Sequence, residues 1–213
     1  MRTLLAAVAL GLAACAGGPP APDWQAAAHG ALGSFEAAYL EGRTRAAEQD
    51  FQRARAALSA TGRADLVARA ELVRCAVRVA SLEFDDCPGY LALAGDAAPA
   101  ERAYAAYLAG KPQAADIGLL PEHHRAVAAG GGLPAMEDPL ARLVAAGVLF
   151  RQARIDPAAI ALAVDTASAQ GWRRPLLAWL GVQARRADEA GDAAAAAAIR
   201  RRIRLVGGEA GGG

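Results

Sequence analysis

Apolar residues along this chain recur at spacings of three and four, the period of a helix with one buried face. Leu32, Phe35 and Tyr39 share a face in a helix predicted over 24–40, with Asp23 placed to cap it. Ala47, Phe51, Ala54 and Leu58 form the stripe of a second, over 44–59, while Arg45, Glu48, Gln52, Arg53 and Arg55 face away. A third, over 64–82, is apolar on two faces: Leu66, Ala70, Val73, Val77 and Ala80 make one stripe, Leu72, Cys75, Val79 and Leu82 the other. A helix buried on two sides lies between neighbours, so this one is expected at the centre of the N-terminal half.

Punctuation sets the rest. Pro88-Gly89 and Gly95-Asp96 mark turns, and Pro99 opens a helix over 99–108 that Gly110-Lys111-Pro112 stops. Residues 113–120 read as neither helix nor loop, and Pro121 opens a helix over 121–129. Asp138-Pro139 and Asp156-Pro157 pair a cap with a first-turn proline, starting helices over 139–153 and 157–169. Pro175 opens the next, with Leu176, Trp179, Leu180 and Ala184 inward, and Gly191-Asp192 separates it from a last helix ending near Val206. No stretch alternates with period two for long enough to form a strand. The chain is expected to be all-α, an array of eight or nine helices in antiparallel hairpins. Its halves, 24–129 and 138–206, are joined by a Gly/Pro linker at 130–137 and followed by a tail at 207–213.

The N-terminus reads differently. Arg2 precedes a short apolar run, Leu4 to Ala14, which ends in Leu12-Ala13-Ala14-Cys15. This is a secretory-signal layout, too short for a membrane span of about 20 residues. The tetrapeptide resembles the lipobox of bacterial lipoproteins. That resemblance implies removal of residues 1–14, lipidation of Cys15, and a tether over 15–23 rich in Gly and Pro. By the family's sorting pattern, Ala16 rather than Asp after the cysteine implies the periplasmic face of the outer membrane. The implied acyl chains exceed the two signals that stable anchoring needs.

This compartment gives the other two cysteines a meaning. With Cys15 taken by lipid, Cys75 and Cys87 remain as a pair in oxidising surroundings. A chain reversal through Glu83-Phe84-Asp85-Asp86 brings them within disulfide range.

The pattern Gly42, Ala47, Phe51, Ala54 resembles the second half of a tetratricopeptide repeat, and Gly191, Ala196 and Ile203 give a weaker echo. The resemblance covers two hairpins. It implies a scaffold with a concave face that recognises a protein or peptide.

Charge and composition narrow the options. Without Arg2 the chain carries 22 Lys+Arg against 22 Asp+Glu, and aromatics are 5%. A neutral chain with few stacking residues excludes a nucleic-acid partner of the usual kind. Glu122-His123-His124 is the sole histidine cluster, but adjacent histidines diverge on a helix and lack the spacing of a zinc motif. It is expected as a solvated first turn, so no metal or cofactor is assigned. Glu83, Asp85 and Asp86 read as a solvated acidic turn, and Ser59, Ser81 and Ser168 lack a nucleophile-elbow context. No catalytic residue is assigned. Arg200, Arg201, Arg202 and Arg204 read as charge at a helix C-terminus. The expected function is a lipid-anchored periplasmic scaffold for protein–protein contact, with Tyr39, Arg43, Arg74 and Arg78 as partner-facing residues. The alternatives are an enzyme or accessory factor acting on peptidoglycan, and a structural envelope lipoprotein.

Overall fold

The computed structural model describes residues 22–208. The signal segment, Cys15 and nearly all of the tether and tail lie outside them. The described chain is all-helical with no strand. Its α-helices are α1 (Asp23–Leu40), α2 (Thr44–Ser59), α3 (Ala64–Ala80), α4 (Pro88–Leu91), α5 (Pro99–Leu108), α6 (Glu122–Ala128), α7 (Pro139–Arg151), α8 (Pro157–Ala169), α9 (Arg173–Glu189) and α10 (Ala193–Gly207). Short 3-10 turns occupy Ala94–Asp96, Ala114–Leu119 and Leu133–Ala135. The ambiguous 113–120 stretch thus holds the longest of these turns, and the single-turn α4 follows the Pro88 signal.

Three cap signals act as their chemistry requires. Asp138, Asp156 and Asp192 each accept the backbone N–H three residues on, at 2.6, 2.7 and 2.9 Å. Asp23 does not cap α1: Pro22 holds that position and Asp23 is the first helical residue, where its charge suits the helix dipole. The third helix stops at Ala80, two residues early, because Leu82 turns to φ 58°. Gly42 ends the first hairpin turn at φ 83°, a conformation that costs glycine little.

The two apolar stripes of α3 serve two cores. Val77 and Ala70 join Phe35, Leu40, Phe51 and others from α1 and α2. Leu72, Cys75 and Val79 join the larger core with α5, α7, α8 and α9. Helix α3 is therefore the shared wall between the two, as a doubly apolar helix requires. The larger core runs across the proposed midpoint, and Leu133 and Met136 from the 130–137 stretch are buried in it. That stretch packs as a turn because it carries two large apolar side chains among its glycines and prolines.

Cys75 and Cys87 form a disulfide with Cα atoms 5.8 Å apart. It fastens the last turns of α3 to the start of α4 across 12 residues. In the chain-entropy account a closed loop of this size contributes about 3 kcal/mol. Reduction without denaturant is expected to lower the urea midpoint by that much stability, and intact mass should rise by two hydrogens. An unchanged midpoint after full reduction would show that the bridge closes nothing the fold does not already hold.

Candidate functional site

A cavity of about 650 Å³ opens between α1, α3, α5, α6 and α7. Its size falls within the range of small-ligand pockets. Helix α3 supplies an aliphatic wall with Leu72 and Val73, and α7 faces it with Leu140 and Val144. Polar groups converge at particular points. Glu36 from α1 is half-buried, and Asp138, the cap of α7, is exposed at the mouth. Deeper in, Glu101 of α5 is 4% exposed.

The chemistry of these groups differs with their surroundings. Burial pushes the Glu36 carboxyl above its ordinary range, the Asp138 carboxylate adds to this, and His29 opposes it. Glu101 Oε1 meets the Arg69 guanidinium at 2.7 Å. Its second oxygen, Oε2, is buried without a hydrogen-bond partner. Asp138 Oδ1 is engaged with the Ala141 N–H.

His124 forms one side of the cavity. Expected in a solvated turn, it is 1% exposed. The rings of Tyr104 and Tyr107 lie 5.6 and 4.9 Å from the imidazole, and their hydroxyls approach its two nitrogens at 3.5 and 3.3 Å. Helix α6 turns this face inward because His124 and Val127, three residues apart, share it and Val127 must be buried, while Leu120 just ahead of the helix is buried in the same core. Burial first, and then His123, lowers the His124 pKa to about 3. Burial raises both tyrosines above their ordinary value.

His124 makes the fold acid-sensitive in a defined window. Free histidine takes up its proton near pH 6.5, whereas folded His124 does so near pH 3. Between these values the unfolded chain binds more protons, so stability is full above about pH 6.5 and falls as pH drops. The slope reaches at most about 1.4 kcal/mol per pH unit from this residue. Glu36 acts in the opposite sense, since its raised carboxyl takes up a proton earlier in the fold. Urea melts between pH 7 and 4 are expected to show falling stability, and His124→Phe should flatten the slope. An unchanged slope in that variant would mean that His124 is not the group titrating.

Tyr39, Arg43, Arg74 and Arg78, the residues expected to face a partner, are each engaged by contacts within the chain. Tyr39 is 9% exposed rather than presented outward. The Arg174 guanidinium covers its ring at 4.3 Å from the centroid while donating to the Tyr39 carbonyl at 2.8 Å. Arg78 pairs with Asp85 at 3.1 Å and reaches toward Glu83 at 3.9 Å, and Arg174 meets Glu83 at 3.3 Å. The acidic turn is therefore bound into a charge network and is not simply solvated. Arg74 pairs with Glu48 at 2.8 Å and lies over the Phe51 ring at 4.7 Å. Arg74 and Arg78 line a smaller groove of about 290 Å³ beside the disulfide, and Arg43 pairs with Glu41 in the α1–α2 connection.

Two carboxylates of the larger cavity, Glu36 and Glu101, are not among the residues singled out from the sequence. Periodicity carried a signal for both: Glu36 lies on the stripe from Leu32 to Leu40, and Glu101 on the face of Tyr104 and Leu108. A carboxylate on a buried stripe is a polar group placed where the fold must satisfy it.

No helix among the described residues is long and apolar enough to cross a membrane. In comparisons with known proteins, no family model, no curated protein and no solved structure matches the chain.

Proposed function

We propose that this protein is an outer-membrane lipoprotein whose helical array, held on the periplasmic side by lipid on Cys15, binds another envelope protein or peptide. One observation carries the binding role: a preformed cavity of about 650 Å³ with aliphatic walls and a few convergent polar groups, framed by five helices. The lipobox-like Leu12-Ala13-Ala14-Cys15 supports the anchor. The disulfide suits an oxidising compartment.

Leu119 lies on the cavity wall and is 44% exposed. A photo-crosslinking residue placed there, in the full chain and in growing cells, should capture one discrete partner. Filling the cavity with Val73→Trp should abolish that adduct. Identical adducts from the open and filled forms would refute the cavity's role.

Catalysis on peptidoglycan is favoured by a single observation: a raised carboxyl, Glu36, beside a second carboxylate is an acid–base pattern. Two features weigh against it. Asp138 already spends an oxygen on capping α7, and sugar clefts rely on polar and aromatic surfaces where this wall is aliphatic. Release of soluble fragments from isolated cell wall by wild type, lost in Glu36→Gln, would transfer the assignment to the enzyme.

A further inference from the structure

We infer that the cavity is built for a cation on an apolar stem: an alkylammonium or alkylguanidinium group such as a lysine or arginine side chain carries. This rests on the reading of the cavity as a binding site and specifies the chemistry of its ligand.

The charge inventory leads there. Three carboxylates line the cavity, Glu36, Glu101 and Asp138, against two guanidiniums, Arg69 and Arg125. Both guanidiniums are engaged already. Arg69 is held by Glu101 at 2.7 Å, and Arg125 donates to the Leu120 carbonyl at 2.9 Å. His124 stands neutral between its tyrosines at pH 7. Neither Glu36 nor Asp138 forms an ion pair among the described residues.

The independent observation is Glu101 Oε2. This oxygen is buried with no partner, on a side chain 4% exposed that lines the cavity. A buried acceptor left open costs free energy unless something donates to it. This oxygen has almost no accessible surface, so a donor in the cavity reaches it only when the Glu101 carboxylate turns toward the open side, and a charged donor then supplies more than a neutral one. Glu36 and Asp138 nearer the mouth repel each other, and a cation between them removes the repulsion. The stem is specified by the walls: Leu72, Val73, Leu140 and Val144 offer methyl and methylene groups, which suit the carbon chain of such a side chain. An anion would meet three carboxylates, and a sugar would leave most of its hydroxyls facing hydrocarbon.

The test uses the full chain in detergent, with detergent alone as the blank. Butylammonium, butylguanidinium, 1-butanol and butyrate are titrated while cavity amide shifts are followed by NMR. Capped Leu-Lys-Leu and Leu-Gln-Leu peptides form a second arm. The cations are expected to bind about tenfold more tightly than butanol, the scale of a charge-assisted hydrogen bond, and butyrate not at all. Glu36→Gln should remove most of that preference. Glu101→Gln should reduce it further, with thermal melting of each variant checking that the fold persists. A stronger response to the lysine peptide than to either free cation assigns the group to a polypeptide partner, and the reverse assigns it to a small amine. Both outcomes support the inference. Butanol binding as well as the cations would overturn it while leaving the cavity a ligand site. If no probe binds, the inference also falls, and the partner reading then stands or falls on the crosslinking experiment.

Discussion

Gly147→Ala is expected to destabilise the fold by about 2–3 kcal/mol, although alanine is the better helix former. A Cβ at this position would sit 2.3 Å from the Val79 carbonyl oxygen and 2.8 Å from its Cγ1. The obstruction is backbone, so no rotamer change relieves it, and α3 and α7 must move apart. Overpacking typically costs about 1–3 kcal/mol, occasionally more; a clash with backbone this close belongs at the top of that range or just beyond, about 3–4 kcal/mol, and outweighs the gain of about 1 kcal/mol from replacing a helical glycine. For a chain of this size the melting temperature should fall by roughly 5–10 °C. Gly181 in α9 is the control: nothing lies within 4 Å of its added Cβ. There the same substitution should stabilise by roughly 0.5–1 kcal/mol. Opposite signs at the two glycines test the α3–α7 crossing, which also forms two walls of the cavity. A Gly147→Ala protein as stable as wild type would mean that the helices do not approach this closely.

Trp179→Ala should cost about 3–5 kcal/mol, the range for emptying a fully buried aromatic site. Trp179 is 0% exposed, meets Phe150 edge-on at 5.9 Å and donates its indole N–H to the Ala80 carbonyl at 3.0 Å. That bond joins α9 to the last residue of α3, so it holds the C-terminal hairpin onto the central helix. Trp179→Phe keeps most of the bulk but leaves the Ala80 carbonyl unpaired, for a smaller loss of about 1–3 kcal/mol. Urea unfolding followed by far-UV circular dichroism gives both values. A loss below about 1 kcal/mol in the alanine variant would place the indole outside the core.

Helix positions were legible because this chain punctuates them chemically. Asp-Pro at 138–139 and 156–157 and Gly-Asp at 191–192 mark boundaries that periodicity alone leaves open. The two stripes of α3 announced a helix with neighbours on both sides, and two cores meet there. The cavity was harder to read because it is made between elements. Asp138 is visible as a cap, but its proximity to Glu36 comes from the packing of both α1 and α7 against α3. Arg78 is held by Glu83 and Asp85 close by in the chain, whereas Tyr39 is covered by Arg174, 135 residues further on in sequence. No local pattern announces such a partner. His124 is hard to read for a related reason: as the third residue of Glu-His-His-Arg it looks solvated, and its register with Val127 is what places it inside.

The proposed anchor would set both the compartment and the class of partner, so it is the claim to measure first. Full-length protein expressed in a bacterium with an outer membrane should be recovered from that membrane with detergent. Its intact mass should equal the chain from Cys15 onward plus a diacylglyceryl group and one further acyl chain, and Cys15→Ser should abolish the modification. A soluble protein carrying residues 1–14 uncut, or one cut at this site with no lipid on Cys15, would contradict the account.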